Sequence, residues 1–192
     1  MVAGTLQTSM VAITAERLVE EAQAFSQGAW AQIFDQSYPR IYDYCYLRTG
    51  DRAVAEDLAS EVFLQALRSI GRYRYRGIPL VAWLYRIARN VTADHLHLRA
   101  SRPTVPLANE SRHPSLTSPD GADAADNVHD VRSAIRRLTD DQQQVIILRF
   151  FHDLSHEETA EALGKRPGAV RVLQSRALAA LRRQMQPEGS GS

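Results

Sequence analysis

From Thr14 to Arg99 apolar residues recur at the three- and four-residue spacing of amphipathic helices, and no stretch alternates as a half-buried strand would. Turn signals interrupt the pattern at Gly28, Pro39, Thr49–Gly50, Gly71 and Gly77–Pro79. The periodicity stops from Ser101 to Asn127, a stretch with four prolines (Pro103, Pro106, Pro114, Pro119), many Ser, Thr and Asp, and a net charge of about −2. It resumes from Val128 to Met185. The pattern predicts an all-α chain with two small helical domains at 14–100 and 128–186, a flexible linker at 101–127, and disordered tails at 1–13 and 187–192. Met10 is a second candidate start. A fully extended linker of 27 residues reaches roughly 90 Å at ~3.3–3.6 Å per residue. Two turns of B-DNA span roughly 70 Å, so the length permits two contacts on one face of a duplex.

The sharpest local signal lies at Leu154–Leu181 and predicts a helix-turn-helix. Ser155 precedes Glu158 by three positions, the spacing of a capping box. Gly164 suits the end of the first helix and Pro167 the first turn of the second. Ala160 is small enough for the helices to approach, and Val170 and Leu173 face inward. From Lys165 to Arg183 there are six basic residues and no acidic one, which suits a helix entering a DNA major groove.

Charge changes the picture once it is divided. The net charge of +1 over 192 residues hides opposing blocks. Arg68–Arg102 holds eight Arg against Asp94 alone, whereas Asp51–Glu61 holds four acids against Arg52 and Leu138–Glu161 six against Arg149. Such blocks suit a protein with both nucleic-acid and protein partners. A single cysteine, Cys45, excludes an internal disulfide framework, fits a reducing cytoplasm, and sits in an aromatic run as a core thiol. No apolar run approaches a membrane span of ~18–20 residues, so no membrane insertion is expected. His95 and His97 point to different helix faces, and His152 and His156 read as surface or capping residues, so no metal site is expected. Phosphate-cradling glycine loops and nucleophile elbows are absent, so neither a cofactor nor catalysis is expected.

Two N-terminal features carry further chemistry. In AVAEDLASEVFLQAL, Ala53–Leu67, the carboxylates of Asp57 and Glu61 stand one turn apart beside a broad apolar surface that includes Leu64. Like charges at this spacing repel by a few tenths of a kcal/mol, so the pair is either a solvated face or a docking surface for a basic partner. Next, Arg72, Tyr73, Arg74, Tyr75 and Arg76 interleave cations with rings, and Trp83, Tyr85, Arg86, Arg89 and Asn90 follow on the next helix. Rings beside guanidinium groups stack unpaired bases while Arg neutralises phosphate; the plain alternatives are a core Trp83 and a solvated loop.

AEDLASEVFLQAL, the basic-aromatic loop and WLYRIARN together resemble region 2 of bacterial sigma factors, and IRRLTDDQQQVIILRFF with the helix-turn-helix resembles region 4. With only these two regions and a short linker, the chain is similar to the extracytoplasmic-function group of the sigma-70 family. The resemblance implies a subunit that binds core RNA polymerase, through the largest-subunit clamp helices and the flap, and directs it to promoter DNA. It implies that Asp57, Glu61 and Leu64 contact core. It assigns Arg72, Tyr73, Tyr75, Trp83, Arg86, Arg89 and Asn90 to the −10 element, with Asn90 and a turn at His97–Arg102 holding a flipped base. Arg166, Arg171, Val172, Ser175 and Arg176 would read the −35 duplex. An anti-sigma factor is the further partner it implies. Ser60 stands where the family often has glutamine, and Arg171-Val172-Leu173 where it often has a K-S-R-like run. The residues alone also admit an autonomous helix-turn-helix regulator with a helical sensor or dimerisation domain, or a protein-binding module whose basic helix is merely solvated.

Overall fold

The computed structural model describes residues 15–101 and 133–185, and all regular structure among them is helical. The expected tails, Met10 and all of the expected linker but Ser101 lie outside the described residues. The first domain comprises α1 (15–23), α2 (Gln27–Thr49), α3 (Arg52–Ser69), a 3-10 turn at Ile70–Arg72 and α4 (Leu80–Ser101). The second comprises α5 (133–136), α6 (Asp140–Ile146), α7 (His156–Leu163) and α8 (Pro167–Met185). The end of α6 widens into i→i+5 turns over Ile147–Phe151.

Local chemistry sets most boundaries. Ser26 caps α2 by accepting from the Ala29 amide, and Gly50, at φ 76°, ends it by donating to the Tyr46 carbonyl. Asp51 caps α3 through the Val54 amide. Three expected breaks are not breaks. Gly28 lies in the first turn of α2 and Pro39 inside the same helix. Proline removes one donor, but the carbonyl it leaves unpaired, that of Asp35, belongs to a residue exposed to solvent. The expected turn at His97–Arg102 is helical through Ser101, since α4 contains neither Gly nor Pro and the Ser101 hydroxyl donates to the His97 carbonyl at 2.9 Å.

In the first domain α2, α3 and α4 pack around Ile33, Ile41, Tyr44, Val62, Ile70 and Leu84, with Tyr44 and Tyr85 edge to face at 5.6 Å. Cys45 is fully buried among them, and burial pushes its thiol up to about 12, as befits a core residue. A small cluster of Ile135, Leu138, Ile146 and Ala177 fixes α8 to α5 and α6.

The domains are closed on each other, with α7 lying along α4. Val145, Leu148, Ala160 and Leu163 join the first domain's core without a break. Around this seam the Arg48 guanidinium, 3% exposed, bonds the Asp140 carboxylate and, at 2.6 Å, the Gln143 side-chain oxygen. Arg40 donates to the His152 carbonyl at 2.6 Å. Arg136 rests against Gly50, where any Cβ would collide with its guanidinium.

Candidate functional site

The helix-turn-helix forms as its residues dictate. The Ser155 hydroxyl accepts from the Glu158 amide at 3.1 Å, and the Glu158 carboxylate accepts from the Ser155 amide at 2.6 Å. Gly164 takes the left-handed conformation at φ 62°, closing α7, and α8 starts on Pro167. Val170 is buried and Leu173 half-buried, so the inner face of α8 is fixed. The Gln174 side-chain oxygen accepts from Arg149 Nε at 3.3 Å and lies 3.1 Å from His156 Nε2, which ties α8 to both neighbours. The consequence is an outer face on which Arg171, Val172, Ser175 and Arg176 are all exposed, with Arg166 exposed just before it. Arg171 meets Glu157 at 3.5 Å, with both side chains 60% exposed. An ion pair that open is worth little and yields readily to a phosphate.

The acidic pair occupies a different face. Asp57 is exposed, and Glu61 is half-exposed and accepts from Gln65 Nε2 at 3.0 Å. Leu64, one further turn along the stripe, is 48% exposed. On another side of α3, Phe34 stacks on Tyr38 at 4.7 Å and leans on Phe63 at 4.9 Å.

The basic-aromatic segment runs from the 3-10 turn to the start of α4. Tyr73 packs against Trp83, ring centres 5.0 Å apart, and its hydroxyl donates to the Ile78 carbonyl at 3.5 Å. Burial pushes the Tyr73 phenol up to about 12, so it stays a neutral donor. Trp83 is half-buried, neither a sealed core residue nor a free ring. Trp83, Arg86 and Asn90 share one stripe of α4, at i, i+3 and i+7. Asn90 and Arg72 are exposed, and Tyr75 and Arg89 half-exposed. Arg86 does not point freely outward: it pairs with Glu161 of α7 at 3.2 Å and lies over Gly164.

Two residues escaped sequence reasoning. His152 is not a surface group; it is buried at the domain seam, 5.1 Å from the Tyr85 ring. Burial, aided by the Arg40 charge, lowers its imidazole to about 4. The second is Gln23, whose side-chain amide spans two distant carbonyls, those of Ile70 and Tyr73. Neither carries a local signal, because each is defined by partners far away in the chain. Among the described residues no three His, Cys, Asp or Glu side chains stand together to hold a metal, and no helix is long and apolar enough to cross a membrane.

Comparison with known proteins adds to this geometry. The Sigma-70 region 2 family matches residues 33–102, and the Sigma-70, region 4 family matches residues 129–181. The chain is 43% identical over 175 residues to the ECF RNA polymerase sigma factor BldN of Streptomyces coelicolor, covering 86% of this chain but 64% of that protein's length. It is 36% identical over 181 residues to the ECF RNA polymerase sigma factor SigD of Mycobacterium tuberculosis, covering 87% of this chain and 82% of SigD. Its fold is like that of CnrH, solved in complex with the cytosolic domain of CnrY, at a TM-score of 0.69 and 20% identity over 91% of this chain and 99% of that one.

Proposed function

We propose that this chain, which belongs to the sigma-70 family and within it to the extracytoplasmic-function group of RNA polymerase sigma factors, binds core polymerase in the bacterial cytoplasm and directs it to promoters with −35 and −10 elements. The observation that carries the reading is the presence, on one chain, of two separate exposed faces whose side chains suit nucleic acid. One is the exposed Arg171, Val172, Ser175 and Arg176 face of α8; the other is the Tyr73–Trp83 pair with Asn90 on α4. An autonomous regulator accounts for the first and leaves the second idle.

In this mechanism α8 enters the −35 major groove, where a bidentate Arg–guanine contact discriminates by about 1–3 kcal/mol. The α4 surface receives a −10 base drawn from the stack, offsetting an unstacking cost of a few kcal/mol. The polymerase supplies the chemistry of synthesis and this chain supplies none. Asp57, Glu61 and Leu64 dock on the clamp helices of the largest subunit, an acidic and apolar surface for a basic, apolar partner. The region 4-like domain faces the flap, and an anti-sigma factor is the natural antagonist. Closure of the two domains bears on this reading, since the Arg86 guanidinium must give up its pair with Glu161 to serve DNA. We infer that Arg86 is freed as the domains part on the polymerase.

Run-off transcription with core polymerase on a pool of randomised duplexes tests the assignment. The expected result is chain-dependent initiation and enrichment of a two-element sequence; core that neither binds the chain nor initiates defeats it. Charge reversal of both Asp57 and Glu61 to Arg sharpens the docking claim. Affinity for core is expected to fall at least 100-fold while the circular dichroism spectrum is unchanged, because neither side chain belongs to the core. Retained affinity would return the pair to a solvated face.

A further inference from the structure

We propose that Gln23 is a positioning residue for promoter opening, acting through the loop that carries Arg72, Tyr73 and Tyr75; the inference rests on the sigma-factor reading above. Gln23 ends α1, which precedes the residues matched by the region 2 family, 33–102. Its Nε2 donates to the Ile70 carbonyl at 3.0 Å and to the Tyr73 carbonyl at 2.9 Å. Both partners are acceptors only, so the amide has a single workable orientation, and its two N–H groups match the two carbonyls.

Those carbonyls mark the two ends of one turn. Tyr73 already donates its own amide to the Ile70 carbonyl at 3.0 Å, and Ile70 is fully buried. The inner end of the turn is therefore anchored by packing, and Gln23 fixes its outer end to the same point. Beyond it the chain has no helix until Leu80, and Arg72, Arg74 and Arg76 are exposed. The direction in which Tyr73 leaves the turn decides whether its ring meets Trp83, and hence the shape of the surface offered to an unpaired base. α1 is itself held in place: Ala22 is fully buried, and its carbonyl accepts from the Trp30 indole at 3.0 Å. The pin thus runs from a packed helix, across 47–50 residues of sequence, to the base-facing loop.

Three properties separate this role from plain structural support. Gln23→Glu keeps the shape but sets a carboxylate against two carbonyl oxygens. Gln23→Lys keeps a donor at the end of the side chain, with three N–H groups for the two carbonyls. A promoter duplex already mismatched across the −10 element needs no melting. Holoenzymes reconstituted with wild-type or variant chain are compared on a promoter selected from the randomised pool, read by permanganate reactivity of opened thymines. Gln23→Glu is expected to slow opening of the duplex at least 10-fold, to act within about twofold of wild type on the premelted template, and to keep affinity for core within about twofold. Gln23→Lys is expected to open the duplex nearly as wild type does. Unimpaired opening by Gln23→Glu overturns the proposal. So does an equal loss of core affinity, a defect that persists on the premelted template, or a Lys variant as slow as the Glu one. Wild-type holoenzyme inactive on every template removes the sigma-factor reading and this inference with it. An active wild type matched by Gln23→Glu removes this inference alone.

Discussion

The helix-turn-helix and the α4 surface are both candidate DNA readers, yet they are built in opposite ways. The α7–α8 unit is assembled by neighbours: the Ser155–Glu158 box, the Gly164 turn and the Pro167 start all act within a few residues. The α4 surface is assembled at a distance, with Gln23 holding the loop, Trp83 receiving Tyr73, and Glu161 from the other domain holding Arg86. A locally built reader keeps its shape wherever its domain moves. A reader built from distant contacts changes when those contacts change, so the α4 surface is the one that domain closure is able to control.

The largest test of this contrast is acid. His152 sits between the two units with its imidazole at about 4, against 6.5 for an unperturbed group. The unfolded chain therefore binds the proton first, and stability due to the neutral, buried ring is fully present above pH ~6.5. It is lost as pH falls toward 4, by roughly 3 kcal/mol for a depression of this size. Denaturant unfolding at pH 7 and pH 4.5 is expected to show that loss in the wild type, and a smaller one in His152→Phe, which keeps a ring against Tyr85. If both chains lose stability equally, the acid sensitivity lies in the carboxylates and the seam is not its source.

How legible each part was follows the same division. The capping box, the glycine turn, the inward Val170 and the exposed Arg171 face were readable because helix chemistry is short-ranged. So was the core position of Cys45, from the apolar period around it. Gly28 misled because a glycine in a helix's first turn costs only backbone entropy, and Pro39 because the helix loses a single hydrogen bond, at the exposed Asp35. A basic-aromatic loop was visible as composition, but the Gln23 pin was not, since a glutamine at the end of an amphipathic helix looks like any solvated residue. His152 was misread for the same reason: its burial is created by α4, more than 50 residues earlier. Closure of the domains had no sequence signal at all, because Arg48 and Asp140, like Arg86 and Glu161, are ordinary helix charges until each pair meets.

An intermediate test separates the two readers by function. Arg171→Ala is expected to weaken duplex binding by about 1–3 kcal/mol, with the discrimination lost at one −35 position and little change in opening once bound. Asn90→Ala is expected to do the reverse, leaving duplex binding nearly unchanged and slowing permanganate-detected opening by a similar factor. Equal effects of both on both readouts would merge the two faces into one.

The smallest effect bears most directly on control. Arg86 and Glu161 are 42% and 31% exposed, so their attraction is screened and worth about 0.2–1 kcal/mol. Such a pair cannot hold the domains shut alone; the merged apolar core and the buried Arg48 do that. What it does is occupy the one cation of the α4 stripe that closure brings under α7. Glu161→Gln is therefore expected to leave thermal stability almost unchanged and to raise the free chain's affinity for single-stranded DNA by up to about fivefold, the ceiling set by that energy. Arg86→Ala is expected to lower it and to abolish the gain from Glu161→Gln, a non-additivity that a double-mutant cycle measures directly. Additive effects would mean that Glu161 acts only by repelling phosphate at long range. The contact between the two readers would then be a packing detail, and the restraint on the α4 surface would fall to the Arg48 clamp.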